Sequence, residues 1–179
     1  MRRLHSGDVI VADANVFNDF LSRLGVPREQ ARDVDASLRL LDAVQKCCAR
    51  FGYTKPLLSQ YLTSEPAARP ILGGQFERIA ELVGKSKLFF KPVSAGERDD
   101  RDPREGEFPP EDRFLLDVAI AVNATFLVTT DHKDGRRTRK QKIPLGERRV
   151  AKKGGGALDL EVIEPAELIE RIAWPISSR

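Results

Sequence analysis

Four carboxylates stand where an α/β chain does its chemistry: Asp13, Glu65, Asp112 and Asp131. Asp13 closes the apolar run Val9-Ile10-Val11-Ala12, which lacks alternation and so reads as a strand covered on both faces. Asp131 follows a similar run, Thr125-Phe126-Leu127-Val128-Thr129. Glu65 lies about a turn and a half of helix past the candidate strand Pro56-Leu57-Leu58-Ser59. Asp112, with Glu111 before it as the other candidate, opens the helical pattern that precedes the run at Thr125. In open parallel sheets ligands bind beyond the carboxyl ends of the strands, and right-handed crossovers bring strand-end acids to one edge. Glu65 and Asp112 join them if their helices run as the strand order suggests. Acidic oxygens without cysteine or histidine make a hard-cation site, suited to Mg²⁺ or Mn²⁺. Left alone, such carboxylates raise one another's pKa, so the cation belongs to the site.

The elements that must position these acids follow from periodicity. Val16, Phe17, Phe20, Leu21 and Leu24 predict a helix over 15–24, ended by Gly25-Val26-Pro27. Leu38, Leu41, Val44, Cys48 and Phe51 form one stripe and predict a helix over 33–51, closed by Gly52. Further strands are expected at 56–59, 88–90, 125–129 and 158–163. Helices are expected at 60–65, around Phe76 to Val83, from Glu111-Asp112 to near Asn123, and from Pro165, which suits a first helical turn. Strands alternating with helices specify an α/β fold: a three-layer α/β/α sandwich around a mainly parallel sheet of about five strands. At 179 residues it is most simply a single domain. Residues 94–110 and 132–157 read as exposed loops, with Gly154-Gly155-Gly156 as a hinge.

Charge is unevenly spread. The formal net charge is +3, but His132 to Lys153 holds ten Lys and Arg against Asp134 and Glu147, leaving the remainder net acidic. Such a segment is the electrostatic footprint of a polyanion partner, although surface loops can be basic without one. No apolar run reaches the ~18 to 20 residues of a membrane span, and Asp8 and Asp13 interrupt the N-terminal run. The expectation is a cytoplasmic protein with no membrane contact. The adjacent Cys47 and Cys48 and the distant His5 and His132 make no zinc site and read as reduced thiols and isolated imidazoles. Gly84-Lys85-Ser86 fails as a phosphate loop because Ile79 stands where a glycine is needed and the segment closes a helix.

Taken singly, each acid has a plainer reading. Asp13 and Asp112 are well placed as helix caps, and Asp131 suits a turn. It is the set at strand ends, beside the basic segment, that points to phosphodiester chemistry.

These residues also resemble a known family. Ile10-Val11-Ala12-Asp13-Ala14-Asn15-Val16-Phe17 is similar to the opening of PIN-domain nucleases, an apolar strand followed by Asp, a small residue, Asn and an apolar pair. Pro56-Leu57-Leu58-Ser59 with Glu65 resembles the second strand and its acid. Pro110-Glu111-Asp112-Arg113-Phe114-Leu115-Leu116-Asp117-Val118-Ala119 resembles the Asp-x-x-Phe-Leu helix, Leu127-Val128-Thr129-Thr130-Asp131 the Val-Thr-x-Asp strand end, and Val162 to Leu168 the final strand and helix. Residues 94–110 and 132–157 exceed what the compact toxin-type members carry.

The resemblance implies a metal-dependent endoribonuclease. Asp13, Glu65, Asp112 and Asp131 would hold one or two Mg²⁺ or Mn²⁺ ions, with cleavage leaving a 5′-phosphate and a 3′-hydroxyl. Asn15 and Thr129 match polar positions that hold the acids and metal-bound waters in place. Arg136, Arg137, Arg139, Lys140 and Lys142 would track the backbone of single-stranded or looped RNA. It further implies, for a toxin of a toxin-antitoxin pair, an antitoxin whose tail covers the acidic pocket, and a homodimer. Two alternatives stand beside it. One is a non-catalytic RNA-binding protein on a PIN-like scaffold. The other is a phosphatase-like enzyme with Asp13 as nucleophile, which would want a second aspartate where Asn15 stands.

Overall fold

The computed structural model describes residues 2–21, 34–47, 49–53, 57, 88–90, 108–109, 112–130 and 143–172. Elements are numbered in chain order among these residues.

Strand β1 (Val9–Ala12) is followed at once by helix α1 (Ala14–Leu21). Ile10, Val11 and Ala12 are consecutive and wholly buried. Neighbouring strand residues point to opposite faces, so both faces of β1 are covered, as its unalternating sequence requires. Helix α2 (Val34–Cys47) packs on α1 and leads into β2 (Arg50–Tyr53). After β3 (Leu88–Phe90) come helix α3 (Phe114–Val122) and β4 (Phe126–Val128). The chain then forms β5 (Gly146–Ala151), β6 (Ala157–Ile163) and helix α4 (Pro165–Glu170), which begins on Pro165 and packs against α2.

The strands make one sheet in the order β3-β2-β1-β4-β6-β5. Five are parallel and β5 runs antiparallel to β6. The chain steps outward from β1 through β2 to β3, then returns to the other side of β1 as β4. Strand order therefore reverses between β1 and β4, and there the two adjacent crossovers leave in opposite directions.

Helix α3 sits over that reversal, in contact with β1, β2 and β4. It is apolar around most of its circumference, and Leu115, Leu116 and Val118 to Val122 are all buried, the signature of a helix inside a core. Asn123 ends it in the left-handed conformation at φ 54°, its N–H donating to the Ile120 carbonyl at 3.1 Å. The chain then turns directly into β4, with the Thr125 N–H donating to the Val9 carbonyl at 2.8 Å.

Several expectations change. The helix predicted over 33–51 ends at Cys47; Phe51 and Gly52 belong to β2, paired with β1 and β3. Gly52 is required by packing rather than by a helix end. A Cβ there would lie 2.7 Å from Val122 Cγ2 and 2.8 Å from Val9 Cγ1. The second strand is thus 50–53 and not 56–59, of which Leu57 is helical and buried and the remainder lies outside the described residues. The cap position of α3 is Arg113 rather than Asp112; it is in helical conformation and makes no side-chain cap hydrogen bond, and Glu111 lies outside the described residues.

Neither predicted loop is exposed throughout. Phe108, the one large apolar residue of 94–110, is 1% exposed and joins the core. Within 132–157, β5 pairs along its length with β6. Its charged composition hid it, because only Val150 of the strand is both apolar and buried. The three glycines are a defined hairpin turn, with φ of 88°, 105° and 82°, closed by Lys152 N–H to the Gly156 carbonyl at 3.1 Å. The left-handed region is where glycine costs least. The helices predicted at 60–65 and 76–83 lie outside the described residues.

The N-terminal segment is tied down by a bridge from Leu4 to Ile172, with Leu4 wholly buried. Beside it, Arg171 reaches back to Glu161 on β6 and Glu167 on α4. Burial opposes the Arg171 charge, but hydrogen bonds and attraction from these two carboxylates outweigh it and hold the guanidinium pKa above its ordinary value. Among the described residues, no helix is long and apolar enough to cross a membrane.

Candidate functional site

The carboxyl ends of β1 and β4 lie side by side, and each strand hands its chain to a polar residue there. Past β1, the Asp13 N–H donates to the Val128 carbonyl at 2.9 Å, so the β1–β4 ladder continues one residue beyond the strand. Past β4, the Thr129 N–H donates to the Ile163 carbonyl of β6 at 3.1 Å. These bonds set both backbones, and the side chains meet. Thr129 Oγ1 donates to Asp13 Oδ2 at 2.9 Å, and the Ala14 N–H donates to Asp13 Oδ1 at 2.6 Å. Asp13 is 5% exposed, and Thr129 and Thr130 are buried beside it.

The carboxylate accepts from a hydroxyl and from a main-chain N–H, and it stands at the N-terminal end of α1, where unpaired N–H groups and the helix dipole present positive charge. A buried carboxylate whose oxygens are oriented by a hydroxyl and a main-chain N–H is a preset oxygen donor. Its chemistry suits a hard divalent cation.

Of the other residues read from the sequence, Asn15 lies in the first turn of α1 and is exposed. Asp112 sits in the tight turn before α3, half-buried, its N–H donating to the Pro109 carbonyl at 2.9 Å. Because α3 passes into β4 through so short a turn, it runs back along the sheet. Its beginning therefore faces the carboxyl edge that carries Asp13. Glu65, Asp131, Arg136, Arg137, Arg139, Lys140 and Lys142 lie outside the described residues, although Asp131 directly follows the buried Thr130. The structure thus brings Asp13 and Thr129 into contact. Among the described residues, no three His, Cys, Asp or Glu side chains gather as a metal cluster.

Two polar arrangements were not legible in the sequence. Asp19 on α1 is 2% exposed and accepts from Ser37 Oγ of α2 at 2.6 Å, joining the two helices that cover this side of β1. Arg148 on β5 lies over the Phe108 ring, 5.4 Å from its centroid. The lone large apolar residue in a polar stretch was the one available signal for the second. The first carried none, since Asp and Ser at those positions read equally as surface. Cys47 is a buried thiol that donates to the Val44 carbonyl on its own helix, away from this edge.

No protein-family model matches the sequence, and no curated protein matches it either.

Proposed function

We propose that this chain is a Mg²⁺- or Mn²⁺-dependent endoribonuclease on a PIN-like, three-layer α/β/α fold. The observation that carries the reading is the Asp13–Thr129 pair at the reversal of strand order, where open parallel sheets bind their ligands. In support of the sandwich, the strand order reverses at β1, and right-handed crossovers leaving it in opposite directions would place their helices on opposite faces.

In this reading Asp13, Glu65, Asp112 and Asp131 hold the cation, an all-oxygen set that fits a hard divalent metal. When bound, the ion supplies Lewis-acid charge and a water of lowered pKa for attack on phosphorus. Thr129 keeps the Asp13 carboxylate in one rotamer by donating to Oδ2, while Ala14 does so at Oδ1. The carboxylate therefore needs no reorganisation when the cation arrives. Arg136, Arg137, Arg139, Lys140 and Lys142 neutralise backbone phosphates, which gives affinity without sequence preference. Single-stranded or looped RNA is the substrate class that the resemblance favours. A toxin role would add an antitoxin that covers the acidic edge.

The test is cleavage of a labelled RNA containing single-stranded and hairpin regions, with Mn²⁺, Mg²⁺ or EDTA, beside Asp13→Asn and Asp112→Asn. Cutting that requires metal and is lost in both variants is the expected result. Salt-sensitive RNA binding with no metal-dependent cutting by any of the three proteins would replace the nuclease with an RNA-binding scaffold.

A further inference from the structure

Phe108 is out of character for its surroundings. It follows a run of Asp, Glu, Arg and Gly, yet it is 1% exposed, and Pro109 beside it is also buried. Two arginines hold it. Arg148 of β5 lies over its ring at 5.4 Å, a cation–π contact in a half-buried setting where water competes weakly. The same guanidinium donates through Nη2 to the Pro144 carbonyl at 3.3 Å, just before β5. The turn is gripped from its other side as well, by Arg113 Nε donating to the Phe108 carbonyl at 3.3 Å.

Arg148 cannot be read as another phosphate-seeking arginine. On the β5–β6 hairpin it stands opposite Leu160, on the side that carries Val150 and Leu158 into the core. Arg149, its neighbour, points to the opposite face and is exposed. Three residues after Pro109 comes Asp112, whose N–H closes the turn onto the Pro109 carbonyl at 2.9 Å. The position of the Asp112 backbone is thus set by a turn anchored through the Phe108 ring to a strand of the basic hairpin.

Resting on the nuclease reading, we propose that Arg148 is a positioning residue for the metal ligand Asp112, acting through Phe108. It ties β5 to the turn that carries Asp112, and so steadies a ligand of the cation. Arg148 itself touches neither cation nor phosphate.

The experiment is Mn²⁺ binding to the full chain without RNA, followed by the loss of free-ion signal in electron paramagnetic resonance, so that it does not depend on activity. Five proteins are compared: wild type, Arg148→Ala, Arg148→Lys, Arg149→Ala and Val150→Ala. Arg149→Ala removes the same charge from the other face, and Val150→Ala destabilises the same strand on the core side. Arg148→Ala is expected to bind Mn²⁺ ~10-fold more weakly, the effect typical of losing a ligand's support. Arg148→Lys should fall between it and wild type, because the ammonium keeps the charge but lacks the planar fork. Arg149→Ala and Val150→Ala should bind as wild type does. Wild-type Mn²⁺ affinity in both Arg148 variants would overturn the proposal and leave the nuclease reading intact, as would an equal loss in Val150→Ala, which would make Arg148 merely structural. If Arg148→Ala does not fold, Arg148→Lys against Val150→Ala decides in the same way. Absence of Mn²⁺ binding by wild type would remove the metal site and this proposal together.

Discussion

At the residue scale, the arrangement at the sheet edge turns on how a buried carboxylate is aimed. Asp13 is buried deeply enough to lose most of its water, and the Thr129 hydroxyl and the Ala14 N–H are donors in place of that water. Replacing Thr129 by Val removes one of them at nearly constant volume. A hydrogen bond to a charged group contributes about 1.5 to 3 kcal/mol, so Thr129→Val should lower unfolding free energy by that order. Under the proposed function it should also weaken Mn²⁺ binding by ~10- to 100-fold, with Thr129→Ser recovering much of both. Urea denaturation and a metal titration read the two effects separately. Arg171 and Glu161 pose a similar question away from the edge. Both side chains are more than nine-tenths buried, so removing one partner strands the other charge. Arg171→Met should cost about 3 to 5 kcal/mol, and adding Glu161→Leu should return most of it. The raised pKa of Arg171 means that its contribution is complete below the guanidinium's ordinary value and is lost only as pH rises through the higher folded one. An alkaline stability profile through the accessible range should therefore show no transition from this arginine.

At the element scale, the packing of α3 on the sheet decides whether Asp112 can face Asp13. Helix α3 lies across β1, β2 and β4, and it approaches β2 where Gly52 has no side chain. Val122 and Val9 fill that space, closer than a Cβ would tolerate. Gly52→Ala should therefore destabilise by about 1 to 3 kcal/mol through overpacking, despite the better strand propensity of alanine. Thermal unfolding would check this, and an unchanged melting temperature would mean that the helix can shift without loss. The β5–β6 hairpin works in the opposite direction. Its charged strand stays in register because one side, with Leu160, Val150 and Leu158, faces the core and the turn is made of glycines.

At the scale of the whole molecule, charge and topology divide the labour. The reversal of strand order puts Asp13 at one end of the sheet, and β5 begins at that same end, since Gly146 pairs with Val162 near the close of β6. The basic residues 136–142 precede β5 in the sequence, and β5 itself starts at the edge that carries Asp13. If they track RNA phosphates, neutralising any one of Arg136, Arg137, Arg139, Lys140 or Lys142 should reduce the slope of log affinity against log salt by about 0.7. Filter binding across a salt series measures this, and a slope that ignores all five substitutions would assign the partner's contacts elsewhere.

Much of this arrangement was legible in the chain itself. Val9 to Ala12 read as a doubly covered strand because the run is short, largely β-branched and apolar without alternation, Thr125 to Thr129 read as a similar run, and Asp13 and Thr129 at their ends now mark the edge. Pro165 announced the last helix by the same kind of local rule. Three features were decided only in three dimensions. Phe51 satisfied a helical stripe but belongs to a strand, since a single buried residue fits either period until its neighbours are known. Gly52 resembled a helix stop and is instead the floor beneath Val122, a contact between residues seventy positions apart. Strand β5 read as a solvated basic loop because hydropathy cannot see that an arginine will lie against a phenylalanine ring. Local pattern determines which segments can be strands or helices; which of them meet, and so which charged side chain turns inward, depends on packing between distant parts of the chain.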